Sequence, residues 1–412
     1  MTKRGFLYMK IAQCTDTFLP ITDGVGRVVH AYATGLSALG HEVTVISPLY
    51  DTGHRANYPF ELVDYLSYAV PTAPQYKMGT AAADAHYRKR ISMVKLDILH
   101  AHGPFGAGRE ALRLARLRDI PLVVSFHSKY YDDFYKVTKS SSISKIAVSN
   151  IVHFYERCDD VWAVSGPTAD VLREYGFKGP IRVMPNGVTP RTADPSAAER
   201  VKRLLGLRDE PMLLFVGQIN WKKNILRVLE ASALLRREGR SFRLVLAGKG
   251  PDEEAVMSKI KELGLEDVCV LPGHITDAAD LDALYSCSSL FVFPSLYDNA
   301  PMVVREAAVM GLPSVMVRGS DAAVVVREGE NGFLCDDSVE DLARVIAGAL
   351  EKPEETKMIG ERARRDIPVF WENLMPQVIE AYEEILENYQ GRTRRKPSRP
   401  ANAYSIWDSE DE

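Results

Sequence analysis

Apolar runs of strand length alternate along most of the chain with segments whose apolar positions recur at helical spacing, the signature of strand–helix–strand units and parallel sheets. The pattern predicts strands at 10–14, 42–47, 121–126, 161–165 and 181–185, then a second series at 211–217, 242–247, 268–271, 290–293 and 313–317. The fold class is therefore α/β. Between the two series, residues 186–196 are polar, contain Gly187, Pro190 and Pro195, and break both periodicities. This linker separates a first domain at 1–190 from a second at 191–370. Leu374, Val378, Ile379, Tyr382, Ile385 and Leu386 then recur at helical spacing, which predicts a terminal amphipathic helix over 371–390 that must pack on something. The remainder, 391–412, is basic and then acidic with almost no apolar content, and reads as a disordered tail.

Composition changes this picture little. With 46% apolar and 26% charged residues among 412, the chain is ordinary globular material, which excludes fibrous and wholly disordered readings. Five scattered cysteines form no CxxC pair or metal-like spacing, so a reduced, cytoplasmic setting is expected. No apolar run reaches the ~18 residues of a spanning helix. Lys10 interrupts the N-terminal apolar patch, so no signal peptide is expected. Charge is uneven: 23 basic against 18 acidic residues up to Pro195, 28 against 37 beyond it. A modestly basic first part suits an anionic acceptor or a membrane surface, and is equally the mark of a solvated face. No nucleic-acid partner is expected.

Ligands of open parallel sheets bind beyond the carboxyl ends of the strands, and for two such sheets this means a cleft between the domains. Chemistry is therefore sought in those loops. The first turn carries Gly24 and Gly26 ahead of a helix; it is either a tight turn or a place where backbone approaches an anion. His102, in Leu99-His100-Ala101-His102, and His127, in Ser125-Phe126-His127-Ser128, both follow strands, with His100 expected to point the other way. Each is either a structural histidine or a ligand contact. After the strand at 211–217 come Gln218, Lys222 and Lys223; the lysines are either solvated or placed to hold a diphosphate. The most specific segment runs from Phe293 to Pro313. There Asp298 sits in a loop and Glu306 in the first turns of a helix, and the backbone amides of Met302, Val303 and Val304 lie between them. Asp280-Leu281-Asp282 has the spacing of a metal-binding pair, but it precedes a helical segment and reads as capping and solvation.

Asp298 to Glu306, followed by Ala-Ala-x-Met-Gly-x-Pro, resembles the acid-x7-acid signature of retaining family 4 glycosyltransferases. The resemblance extends in order through the Gly24 turn, Leu99 to His102, Pro185-Asn186-Gly187-Val188, Phe215-Val216-Gly217 and Leu246 to Pro251, leaving out only the tail. It implies the GT-B fold, two Rossmann-like domains facing a central cleft, with the terminal helix crossing back to the first. It also implies that Gly24 and Lys223 contact the diphosphate of a nucleotide sugar, that His102 lies beside the transferred sugar, that Asp298 holds sugar hydroxyls and Glu306 the ribose, and that backbone near Ile275 meets the base. No metal or other cofactor is implied. A UDP-sugar is favoured as donor and GDP-mannose is the alternative.

Two positions depart from the family. Gln218 stands where an arginine is common, and Asp298 where glutamate is usual. These departures keep open a nucleotide-sugar-binding protein with impaired turnover, and the fold by itself keeps open a second rival, a sugar-nucleotide epimerase. The segment from His127 through Lys129, Tyr130 and Tyr131 to Tyr135 is similar to the acceptor-side loop of diacylglycerol glucosyltransferases. That similarity implies a peripheral membrane enzyme with a lipid acceptor at the inner membrane face; a small soluble hydroxyl compound is the alternative.

Overall fold

A computed structural model describes residues 7–20, 23–49, 57–70, 73–206 and 210–391. Ile21 and Thr22 of the first turn, and the tail from Arg392, lie outside the described residues. The chain divides into two compact units, Met1–Pro185 with Trp371–Glu412, and Asn186–Phe370.

In the first unit the elements are β1 (Lys10–Cys14), α1 (Gly24–Ala38), β2 (Glu42–Ser47), β3 (Glu61–Asp64), β4 (Ser67–Val70), β5 (Ala73–Gly79), α2 (Ala85–Met93), β6 (Ile98–Ala101), α3 (Gly106–Arg118), β7 (Leu122–Phe126), α4 (Tyr130–Thr138), α5 (Ser141–Tyr155), β8 (Asp160–Ala163), α6 (Gly166–Glu174) and β9 (Arg182–Val183). Seven strands form one sheet in the order β3-β2-β1-β6-β7-β8-β9, all parallel, while β4 and β5 make a separate antiparallel hairpin. Strands β1, β2, β6 and β7 are buried along almost their whole length, which is why apolar residues dominate them, with Gln13, Thr44, His100 and Ser125 among the polar residues taken into the interior.

The second unit contains α7 (Pro195–Leu204), β10 (Met212–Val216), α8 (Ile225–Arg237), β11 (Arg243–Ala247), α9 (Glu253–Glu262), β12 (Cys269–Gly273), α10 (Ala278–Cys287), β13 (Leu290–Val292), α11 (Met302–Val309), β14 (Ser314–Val317), β15 (Phe333–Cys335), α12 (Val339–Glu351) and α13 (Pro353–Asp366). Its six strands are parallel in the order β12-β11-β10-β13-β14-β15. Helix α11 is fixed from behind by α13. A Cβ on Gly360 of α13 would stand 2.0 Å from the carbonyl oxygen of Gly311, so only glycine permits this approach. Gly311 itself closes α11 in the left-handed region at φ 72°, the ordinary role of a glycine just past a helix end.

The last helix, α14 (Trp371–Asn388), belongs to the first unit, where it packs on α1. Its buried face is Trp371, Leu374, Met375, Val378, Ile379, Ala381, Tyr382 and Ile385, a stripe at helical period. Among the described residues no helix is long and apolar enough to cross a membrane.

Candidate functional site

The second unit gathers its chemistry beyond the ends of β10 and β13. After β10, Asn220 accepts from the Lys222 amide at 3.0 Å and starts a single helical turn over Trp221–Lys223. That turn aims Lys223 at the loop after β13, where its ammonium donates to Asp298 Oδ1. The other carboxylate oxygen accepts from Ser295 Oγ at 2.6 Å, and the Ser295 hydroxyl in turn accepts from the amides of Tyr297 and Asp298. Lys222 lies 4.5 Å above the Tyr297 ring, a cation–π distance. Lysine has three N–H donors, so Lys223 holds Asp298 with one and keeps two for an anion. Gln218 is exposed, and Ile275, after β12, packs partly into the core of the unit. Ser295 and Tyr297 were not singled out from sequence, although both stand in the most specific segment.

Helix α11 starts at Met302 with Pro301 before it, which offers no side-chain cap to the amides of the first turn. The amides of Met302 and Val303 therefore have no side-chain cap at the positive end of the helix, whereas the Val304 amide, expected to take part, donates to the Pro301 carbonyl at 3.3 Å. Glu306, a turn further on, is buried at 2% exposure. Tyr285 donates to its Oε2 at 3.4 Å, and Arg191 Nη2 stands 3.6 Å from its Oε1. Arg191 also lies 3.0 Å from Asp282, which corrects the reading of Asp282 as a solvated capping residue. The cap of α10 is Asp277, accepting from Ala279 and Asp280 at 2.8 and 3.0 Å; Asp280 pairs with Arg200; and Asp282 turns into the interior. Burial pushes the Asp282 carboxyl up from its usual range, and Arg191 opposes the shift. Arg191 was invisible to sequence reasoning, because a lone arginine in a polar linker carries no periodicity. Among the described residues no cluster of three or more His, Cys, Asp or Glu side chains is arranged to hold a metal ion.

In the first unit the corresponding strand ends belong to β1, β6 and β7. Asp23 caps α1 by accepting from Gly26 N at 2.7 Å. Gly24, in the first turn, is exposed and a Cβ there would meet nothing within 4 Å. Gly26 is the more confined of the two, since a Cβ would stand 3.0 Å from Asp23 Oδ1 and 3.1 Å from Thr17 O. The expectation that His100 points away from His102 is overturned: the rings stack with centroids 4.2 Å apart. Residues two apart along a strand share a face, so both imidazoles lie on one side of the sheet. His127, at the end of β7, comes to 3.2 Å from His102. Burial lowers the basicity of His102 and takes His127 down to about 4, so both rings are neutral near pH 7.

The four acceptor-side candidates separate. His127 and Lys129 are half-buried at the start of α4, and Tyr131 stacks on Tyr135 with its hydroxyl 3.1 Å from Ser141 Oγ. Tyr130 instead lies in the core, edge-on to Phe105 and Phe126 at 5.3 and 5.6 Å.

Comparison with known proteins matches both units: residues 22–192 fit the model of Glycosyltransferase Family 4, and residues 198–366 that of glycosyl transferases group 1. The chain is a family 4 glycosyltransferase. Alpha-monoglucosyldiacylglycerol synthase of Acholeplasma laidlawii is 24% identical to this glycosyltransferase over 359 residues, covering 84% of this chain and 89% of that one. Among solved structures, sucrose-phosphate synthase from Thermosynechococcus elongatus superposes with a TM-score of 0.76 at 19% identity, covering 92% and 99% of the two chains. Anabaena HepE in complex with UDP-glucose gives 0.72 at 19% identity, covering 92% and 100%. This glycosyltransferase has the GT-B fold, built from two Rossmann-like units.

Proposed function

We propose that this glycosyltransferase moves a hexose from a UDP-sugar to a lipid hydroxyl with retention of anomeric configuration and without a metal ion. The observation that carries the donor side is Lys223 held over Asp298 at the strand ends, next to the uncapped start of α11. As the glycosidic bond to phosphate breaks, negative charge grows on the leaving diphosphate. The two remaining Lys223 donors and the Met302 and Val303 amides at the start of α11 meet that charge, and fixed donors aimed at developing charge are the strongest catalytic device available to such a site. Asp298 takes sugar hydroxyls and Glu306, held by Tyr285 and Arg191, takes the ribose, with Ile275 backbone toward the base. With Gln218 in place of an arginine, Lys223 and the adjacent Lys222 are the cations left for the diphosphate. His102 and His127 form the polar surface on the side of the acceptor.

The lipid acceptor is supported by α4 and α5. Tyr135, Val137, Ile143 and Ile146 are 47%, 65%, 53% and 63% exposed, an unusual density of large apolar side chains on two consecutive helices. Lys136, Lys139 and Lys145 are exposed on the same two helices and their connection. Apolar side chains interleaved with lysines suit the interface of an anionic bilayer. The name of the Acholeplasma relative and the UDP-glucose bound by HepE agree with this reading.

The test is transfer from labelled UDP-glucose and GDP-mannose to diacylglycerol in anionic vesicles, in EDTA. The expected product is an α-glucosyl lipid, its anomeric configuration read by proton NMR coupling. Release of UDP with sugar transferred only to soluble acceptors would remove the lipid, and conversion of the nucleotide sugar without net UDP release would point to an epimerase.

A further inference from the structure

Six side chains from four elements form one hydrogen-bonded line in the first unit. His127 Nε2 lies 3.2 Å from His102 Nδ1, and His102 Nε2 lies 2.7 Å from Gln13 Oε1. Gln13 Nε2 donates to the Tyr382 hydroxyl at 3.1 Å, and that oxygen is 2.6 Å from His100 Nδ1. His100 Nε2 ends the line at Ser125 Oγ, 2.8 Å away. Gln13, His100 and Tyr382 are fully buried and His102 nearly so. Trp162 stacks on the Tyr382 ring at 5.5 Å, which fixes where the phenol sits.

The protons along this line have one consistent order. The amide carbonyl of Gln13 can only accept, so His102 donates from Nε2 and its Nδ1 is a lone pair. His127 must then donate from Nε2. On the other side, the Gln13 amide donates to Tyr382, whose own proton goes to His100 Nδ1, so His100 donates to Ser125. Reversing a bond on the His102–His127 side requires turning over the Gln13 amide, and reversing the His100 bonds leaves the buried Tyr382 proton without an acceptor. Burial keeps all three imidazoles neutral, so no extra proton disrupts the order.

We propose that Tyr382, on the terminal helix, is a positioning residue for the His102–His127 pair: through Gln13 it holds His102 as the Nε2–H tautomer, which makes Nδ1 the acceptor nitrogen of His127. Tyr382 touches no reacting atom; it acts through Gln13. The assignment rests on the reading of His102 and His127 as the polar surface of the acceptor side.

The experiment is Tyr382→Phe in the full-length protein, which removes one hydroxyl and keeps the ring against Trp162. Histidines are labelled with 15N, and the protonated nitrogen of each ring is read by long-range 15N–1H correlation; transfer kinetics are measured on the same sample. In the wild type His100, His102 and His127 are each expected as Nε2–H. In Tyr382→Phe, His102 is expected to become a mixture of tautomers, with kcat reduced about tenfold and the KM for donor within about twofold. A Gln13→Met variant, which breaks the line at its centre with similar volume, is expected to match it, and the double variant to lose little more. An unchanged His102 tautomer in both variants overturns the proposal whatever the rate. A disordered tautomer with wild-type kcat overturns instead the role of the histidine pair in transfer, and the positioning role with it.

Discussion

At the scale of single residues, the proposed donor chemistry is tested first at Lys223. Lys223→Ala is expected to lower kcat by about 10²-fold while leaving the urea midpoint of the protein nearly unchanged, since the pair it forms with Asp298 is partly exposed. Loss of stability without loss of rate would make the lysine structural. Asp16, beyond β1, gives a second handle. It accepts from Ala107 N at 2.8 Å, yet burial dominates and raises its carboxyl to about 6. A carboxyl raised in the folded state stabilises the fold fully below its unfolded pKa, and that contribution is lost as pH rises through about 6. Asp16→Asn should therefore remove about 1 kcal/mol of the change in unfolding free energy between about pH 5 and pH 7, measured by urea titration at both values. An identical pH slope in wild type and variant would show that the carboxylate is solvated. Gln13 shows how such residues can be noticed in advance: a glutamine in the middle of an apolar strand is costly to bury without partners, although its partners cannot be named from the sequence.

At the scale of elements, legibility followed burial. Strands β1 and β2 were read to the residue because burial leaves strand-length segments dominated by apolar residues. The strand β3, the hairpin β4–β5 and the three-residue β15 were missed, because short or half-buried strands flanked by polar residues have too few positions to establish a period. Asp298 and Glu306 of the candidate site could be singled out because they lie in one contiguous segment, 293–313. The Arg191 bridge and the His–Gln–Tyr line were not, since each joins residues far apart in the chain. Helix placement also gives a prediction. Gly360→Ala forces α13 away from Gly311 and thereby displaces α11, so it should destabilise the second unit by up to about 3 kcal/mol in urea and raise the KM for donor. Unaltered stability would mean that the two helices slide apart freely.

At the scale of the whole molecule, the first unit is discontinuous in sequence and the second is not. A fragment of residues 186–370 is expected to unfold cooperatively and to bind UDP, whereas residues 1–185 alone are expected to lack a cooperative transition, which addition of 371–391 through a short linker restores; circular dichroism in urea reads both. Cooperative unfolding of 1–185 by itself would show that α14 is an accessory. The discontinuity also orders biosynthesis. A ribosome adding roughly 10 residues per second completes β1 to β9 and then spends about 20 seconds on the following 200 or so residues before α14 emerges. For that interval the face of α1 that receives Met375 is bare to the cell. The N-terminal unit, first to be translated, is the last to be finished, and any chaperone demand of this enzyme should fall on it.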